Sequence, residues 1–359
     1  MNASNYTFQE TLCSGEIRRM QALIPSFKFD DSNDDSIHEN KKFNYHIILP
    51  ASDSLHTTYD ETILLLHGLN ERSWKKYEPW ATRLANDTGM PVILFPLAFH
   101  MNRTPTSWYN PRELLHWFRQ TEHRGCGNAT FANTVLSTRI CECPMRFYVS
   151  GKESAYNICQ LMTDITTGQH PLFYKGTRVH LFAYSIGAFL SEILLLANPY
   201  HLFQDSRLFI FMGGSAISEM YGASRSIMDD EAFHLMKYYY RNTFGHDAFS
   251  AHLADDGFDN AFRLMLDADR LSDSRQEAFM QLYPRLRIVS MKKDNVIPSI
   301  GIERTLGDVA PLVHEQLDFP FAYTHQTPFP TGNLLMQAVI RDAQQIIMDY
   351  AASFFLARA

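Results

Sequence analysis

The feature that most constrains this chain is the recurrence of short, continuously apolar runs between longer segments of helical periodicity. The stretch TILLLHG (Thr62 to Gly68) is apolar on successive residues, so a strand there would be buried on both faces. MPVILFPLAF (Met90 to Phe99), TRVHLFAYS (Thr177 to Ser185), SRLFIFMGG (Ser206 to Gly214) and PRLRIVSMKKD (Pro284 to Asp294) repeat the theme. FNYHIILP (Phe43 to Pro50) alternates instead and suits an edge strand, and APLVHEQLDF (Ala310 to Phe319) reads as the last strand. Between them, Glu78 to Gly89 and Ile186 to Asn198 carry helical spacing, and Asn333 to Ala357 reads as a long terminal helix. Strands alternating with helices predict an α/β fold with a mostly parallel central sheet covered by helices on both faces.

Two segments break that alternation. Residues 100–154 are polar and contain cysteines and arginines; residues 219–283 are mainly helical in pattern. Both follow strand ends, where the loops of open sheets build a crevice, so both are expected to be insertions that together form a cap on a core spanning 43–359. Residues 1–42 end in the acidic stretch FDDSNDDSIHENKK and read as an N-terminal extension, a loop before the core.

Composition narrows the possible partners. The 359 residues are 45% hydrophobic and 20% charged, enough for a sizeable core, and the formal charge of −7 is spread without a Lys/Arg run longer than a pair such as Lys292-Lys293. No nucleic-acid partner is expected from such a distribution. The first residues lack a basic start followed by an apolar run, and no apolar stretch approaches the roughly 18 residues that span a bilayer. With five cysteines, an odd number, the expected state is reduced thiols in a cytoplasmic protein. Cys126, Cys141 and Cys143 could supply three metal ligands, but the paired clusters of a structural zinc site are missing, so no metal is expected. ADDGFDN (Ala254 to Asn260) lacks the alternating ligands and distal glutamate of a calcium loop. The sequons at Asn2, Asn5, Asn86 and Asn128 carry no weight without a route to glycosylation.

The chemistry centres on LFAYSIGAFL (Leu181 to Leu190). Ser185 stands where an apolar strand gives way to an apolar helix, with Ala183 two places before it and Gly187 two places after. A tight strand-to-helix turn that lifts a nucleophilic hydroxyl needs small neighbours at those two positions. A helix N-cap serine explains the same pattern, so the rest of the chain has to decide. LLLHGLNE (Leu64 to Glu71) ends a buried strand in His67-Gly68 and turns the Leu69 amide toward the same crevice. Asp294 follows the strand that starts near Pro284, and His325 lies in the loop FAYTHQTPFP after the last strand.

With these four elements in the order His67-Gly68, Ser185, Asp294, His325, the chain resembles the α/β-hydrolase superfamily, and within it uncharacterised bacterial members. The resemblance covers roughly residues 43–100, 155–218 and 284–359. Ala183 departs from the usual first glycine of the elbow, and no HGGG-type loop is present. The 117 residues from Gly68 to Ser185 exceed a minimal fold, an excess the 100–154 segment would supply. The resemblance implies Ser185 as nucleophile, His325 as base, Asp294 as its orienting acid, and the amides of Leu69 and Ile186 as oxyanion donors. It also implies a small-molecule acyl substrate and neither metal nor organic cofactor.

Other assignments compete. His314 is an alternative base and Glu219 an alternative acid, while His67 is expected to be structural. His100 and Tyr184 are candidate substrate contacts, and Met101 and Arg103 candidate pocket-lining residues. The aromatic run YYYRNTF (Tyr238 to Phe244) is expected on the inner face of a cap helix. An ester hydrolase is the favoured reading. The same triad could instead serve a peptidase, thioesterase, C–C hydrolase or acyltransferase, and the fold could also carry a non-catalytic binding protein.

Overall fold

The computed structural model describes residues 3–11, 15–51, 58–121, 127–247, 249, 252–254, 256–332 and 334–357. Cys126, Asn2 and Asn333 fall outside them. In chain order, β1 (Ala3–Gln9) is followed by α1 (Gly15–Leu23), α2 (His38–Lys41), β2 (Lys42–Ile48) and β3 (Tyr59–Leu66). Next come α3 (Glu78–Thr88), β4 (Val92–Leu94), α4 (Pro111–Thr121), α5 (Thr134–Glu142) and the long α6 (Met145–Thr166). β5 (Phe173–Tyr184), α7 (Ile186–Ala197) and β6 (Leu208–Phe211) form the centre. They lead to α8 (Asp230–Asn242), α9 (Gly257–Leu264) and α10 (Ser272–Leu282). The chain closes with β7 (Leu286–Met291), α11 (Ser299–Leu306), α12 (Ala310–Val313), β8 (His314–Leu317) and α13 (Gln337–Leu356).

The eight strands make one sheet in the order β1-β2-β4-β3-β5-β6-β7-β8. β2 pairs antiparallel with both β1 and β4, and every other pairing is parallel. Successive residues of the central strands face opposite layers, as the pleat dictates. Leu64, Leu66, Leu181, Ala183, Ile210 and Ile288 pack with α6 and α7. Ile63, Leu65, Phe182, Tyr184, Phe209, Phe211 and Val289 pack with α3 and α13. This is the α/β-hydrolase fold, a mostly parallel sheet with helices on both faces. Among the described residues, no helix is long and apolar enough to cross a membrane.

The structure departs from the sequence reading in three places. Residues 1–42 are more than a loop before the core, because β1 pairs along its whole length with β2, from Ala3 against Ile48 to Gln9 against Lys42. The helix that begins at Met145 crosses the expected end of the first insertion at 154 and runs on to Thr166. Its periodicity is hard to read because Lys152, Glu153, Ser154 and Asn157 are buried and polar. The N-terminal segment supplies their partners: Glu16 accepts from Lys152 at 2.6 Å, and Asn40 and Gln21 donate to Glu153 at 2.6 and 3.3 Å. Finally, the first four residues of the expected last strand are helical. Pro311 has no N–H for a sheet ladder and a fixed φ suited to a first helical turn, so β8 shrinks to His314–Leu317.

Candidate active site

Ser185 follows β5 directly and opens α7 with φ 57° and ψ −121°. Positive φ is uncommon for a residue with a side chain, and such strain persists only where the surroundings hold it in place. Here they do. The Gly187 amide donates to the His67 carbonyl at 3.1 Å, joining the turn to the loop after β3. A Cβ on Gly187 would stand 2.6 Å from the Leu66 carbonyl oxygen, so only glycine allows the approach. Ala183 is fully buried and in register with Leu66 and Ile210, where its methyl group is part of the core. Alanine therefore serves in this elbow without disturbing the ladder.

The structure brings Asp294 and His325 to this serine. Ser185 Oγ lies 2.7 Å from His325 Nε2, and His325 Nδ1 lies 2.8 Å from Asp294 Oδ2. The other Asp294 oxygen accepts from the Val296 and Ile297 amides at 2.9 and 3.0 Å, which fixes the carboxylate plane. All three residues are buried. A hydroxyl, an imidazole and a carboxylate so connected can pass the serine proton to the ring while the acid holds the ring's orientation and tautomer.

The loop after β3 is locked from both sides. His67 Nδ1 donates to the Gly68 carbonyl at 2.8 Å, and its Nε2 accepts from the Leu97 amide at 3.0 Å. Complete burial pushes this imidazole well below its ordinary pKa, so it is neutral and structural. The Gly68 amide donates to Tyr77 Oη at 2.9 Å, and Tyr77 donates in turn to Glu71, which also holds Lys76. With the Gly68 amide occupied, the next one along is that of Leu69. Neither the Leu69 nor the Ile186 amide is engaged by another group among the described residues. Both residues line a small chamber of about 40 Å³ that Ser185 borders with Phe147, Phe233 and Val296.

Two larger spaces adjoin this chamber. Beyond Leu69 and Phe147 lies a cavity of about 370 Å³ that His100 and Met101 line. His100 donates from Nδ1 to the Ala98 carbonyl, and burial lowers its pKa to about 4, so it presents a neutral ring. On the other side, beyond Phe233 and Val296, a groove of about 430 Å³ is lined by Ser224, Asn295 and Gln326, next to the acid and the base.

Several candidates fall elsewhere. Tyr184 is 1% exposed because the pleat turns it to the α3 and α13 layer, away from the crevice. Its hydroxyl donates to the His325 carbonyl and its ring stacks on the imidazole, 5.5 Å between centroids at 24°. It supports the histidine and does not touch the cavities. Arg103 is fully buried and spent on Asn40, Asn157 and the Pro96 carbonyl. His314 bonds Ser290 at 2.8 Å within the sheet, and Glu219 accepts from Arg304 at 2.9 Å, so neither reaches Ser185. Tyr240 and Phe244 face inward against Phe262, whereas Tyr238 is exposed. Asp256 caps α9 through the Asp259 amide, and Asp259 pairs with Lys152. Among the described residues, no cluster of three His, Cys, Asp or Glu could hold a metal ion.

Sequence reasoning missed Glu71, Lys76 and Tyr77 as the supports of the first loop. The signal was a charged and aromatic set within ten residues of His67-Gly68.

A model of a family of unknown function, DUF6051, matches residues 8–356. No curated protein matches the chain. Similar solved structures include carboxyl esterase 2 of the mycorrhizal fungus Tuber melanosporum, 13% identical over 88% of this chain and 82% of that one, with a TM-score of 0.44. A carboxylesterase of Lactobacillus plantarum is 11% identical over 98% of this chain and 95% of its own, with a TM-score of 0.45. A monoacylglycerol lipase of Paleococcus ferrophilus is 12% identical over 86% of this chain and 98% of its own, with a TM-score of 0.43.

Proposed function

The chain belongs to the family of unknown function DUF6051, and we propose that it is a serine hydrolase that cleaves a carboxylic ester or similar small acyl substrate. The observation that carries this reading is the unbroken line of contacts from Ser185 Oγ through His325 to Asp294, on a serine held at positive φ. Two insertions, residues 100–154 and 219–283, would act as the cap. Thr130 Oγ1 donates to the Arg225 carbonyl at 2.6 Å, Asn133 Nδ2 to that of Ser224 at 2.9 Å, and the Asp229 amide to Ser137 Oγ at 2.8 Å, tying one insertion to the other.

In the proposed reaction, His325 Nε2 takes the Ser185 proton as Oγ bonds to the substrate carbonyl carbon. The carbonyl oxygen takes up the negative charge and accepts from the Leu69 and Ile186 amides, the second of them at the N-terminus of α7. Losing one such donor typically costs about 10²- to 10³-fold in rate. The imidazolium, steadied by Asp294, gives its proton to the leaving oxygen as the ester bond breaks. Water then loses a proton to the same histidine, attacks the acyl-serine, and the acid product leaves with Ser185 protonated again. Because His325 must reach the leaving oxygen, the alcohol belongs on the side of Asn295 and Gln326, and the acyl chain on the side of Phe147.

A fluorophosphonate probe tests the reading. The wild-type protein is expected to be labelled and to hydrolyse short activated esters, while Ser185→Ala is folded, unlabelled and slower by about 10⁴- to 10⁶-fold. A folded wild-type sample that neither labels nor turns over such esters would leave a binding protein on a hydrolase fold.

A further inference from the structure

The cavity on the acyl side is not uniformly apolar. Arg72, Arg139 and Arg146 line it, and Glu71 is the one carboxylate among its described lining residues. Lys76 already pairs with Glu71. Behind the wall, Asp34 receives Arg139 through two parallel contacts of 2.9 Å, and the same guanidinium lies 4.4 Å from the centre of the Trp108 ring. That geometry engages both terminal nitrogens of Arg139.

Arg146 is placed differently. Its side chain is 2% exposed, yet Nε and Nη1 have no hydrogen-bond partner among the described residues. Asp34 and Glu142 stand 3.9 and 3.7 Å away, beyond hydrogen-bond reach, and Glu142 is itself held by the Lys28 amide at 3.3 Å. Among the described residues, only the Pro25 carbonyl accepts, from Nη2. A buried guanidinium with idle donors is costly unless something meets them. Lys76 has Glu71 and Arg139 has Asp34, while Arg146 has only the longer approaches of Asp34 and Glu142 and Arg72 stands exposed at the rim.

Phe147, the next residue, borders both this cavity and the chamber at Ser185. We propose that the cavity binds a carboxylate at the far end of the acyl chain, with Arg146 as the recognising cation, so that the preferred substrates are monoesters of short dicarboxylic acids. A planar guanidinium suits a planar carboxylate. The neutral imidazole of His100 and the apolar Phe147 and Ile140 would flank the intervening methylenes. This specificity rests on the reading of Ser185 as the nucleophile.

The test compares 4-nitrophenyl monoesters of succinic, glutaric and adipic acid with the neutral butyrate, valerate and hexanoate esters of matching length. Wild-type protein is expected to favour the carboxylate-ended ester by about 10- to 100-fold in kcat/KM at the best length, the range of a charge-assisted hydrogen bond. Arg146→Gln should bring that ratio close to one. If Arg146→Gln does not fold, Arg72→Gln, at the exposed rim, should lower the ratio several-fold. A wild-type ratio at or below one at every length, or a ratio that a folded Arg146→Gln leaves unchanged, overturns the proposal. Calorimetry of glutarate with the wild-type protein separates the two readings. If no ester is turned over and the probe does not label Ser185, the hydrolase reading fails. Glutarate binding that Arg146→Gln abolishes, and that inorganic phosphate does not displace, still supports the carboxylate cavity; no binding refutes it.

Discussion

The corner that holds Ser185 and the cavity beyond Phe147 share a wall and are built in opposite ways. Every part of the corner is a short turn at the end of a parallel strand: Gly68 and Leu69 after β3, Ser185 after β5, Asp294 after β7, His325 in the loop after β8. Backbone groups orient its polar atoms, and the N–H groups of Val296 and Ile297 do this for Asp294. The cavity depends on side chains far apart in sequence, above all Arg139 on Asp34. The difference predicts that the corner can lose its chemistry while the fold survives, whereas the cavity wall loses stability when its buried Arg139–Asp34 pair is broken.

The sharpest break of that comparison is Asp294→Asn. The amide can still accept from Val296 and Ile297, so the loop should hold, but it cannot fix the histidine tautomer as a carboxylate does. We expect kcat to fall by about 10⁴-fold, roughly 5–6 kcal/mol, with the urea midpoint little changed. Steady-state kinetics beside an unfolding curve reads both. A large shift of the midpoint would show that the corner, too, is structural.

Arg139→Ala reverses the pattern. It leaves Asp34, 3% exposed, without its two-point partner, and a buried carboxylate stripped in this way typically costs about 3–5 kcal/mol. Chemical denaturation should register that loss, and the Ser185 probe should still label whatever remains folded. A variant as stable as the wild type would mean that Arg146, 3.9 Å from Asp34, takes over the pairing.

Legibility in the sequence follows the same division. The apolar runs marked seven of the eight strands because each is buried on two faces or at an edge and bounded by turn residues. Ser185, Asp294 and His325, which the structure brings together, could be picked out because the first two follow strand ends directly and the third lies in the loop after the last strand. β1 was not, since only Phe8 of Ala3–Gln9 is fully buried and the strand gains its order from pairing with β2. Arg103 was misplaced for a related reason: its partners, Asn40 and Asn157, are more than fifty residues away on either side. Tyr184 adjoins Ser185 in sequence but faces the opposite layer, so adjacency alone misassigned it. Arg146 gave no local signal, because what sets it apart is what does not reach it.

The smallest expected effect sharpens the comparison within a single helix. α7 follows Ser185 directly, and on its buried side Glu192 is fully enclosed with neither carboxyl oxygen bonded to any described group. Asp294, equally enclosed, has three donors. Burial alone pushes the Glu192 carboxyl well above its ordinary pKa, so the folded protein holds the proton more tightly than the unfolded chain does. The stability this contributes is complete below the ordinary carboxylate range, near pH 4, and is lost as pH rises above it, by at most about 1.4 kcal/mol per pH unit. Glu192→Gln keeps the shape and removes the titration. Urea unfolding at about pH 5 and about pH 8 should therefore show the wild type losing more stability than the variant between the two, while ester turnover is the same in both. Parallel stability curves would mean that Glu192 is met by a buried donor such as an ordered water.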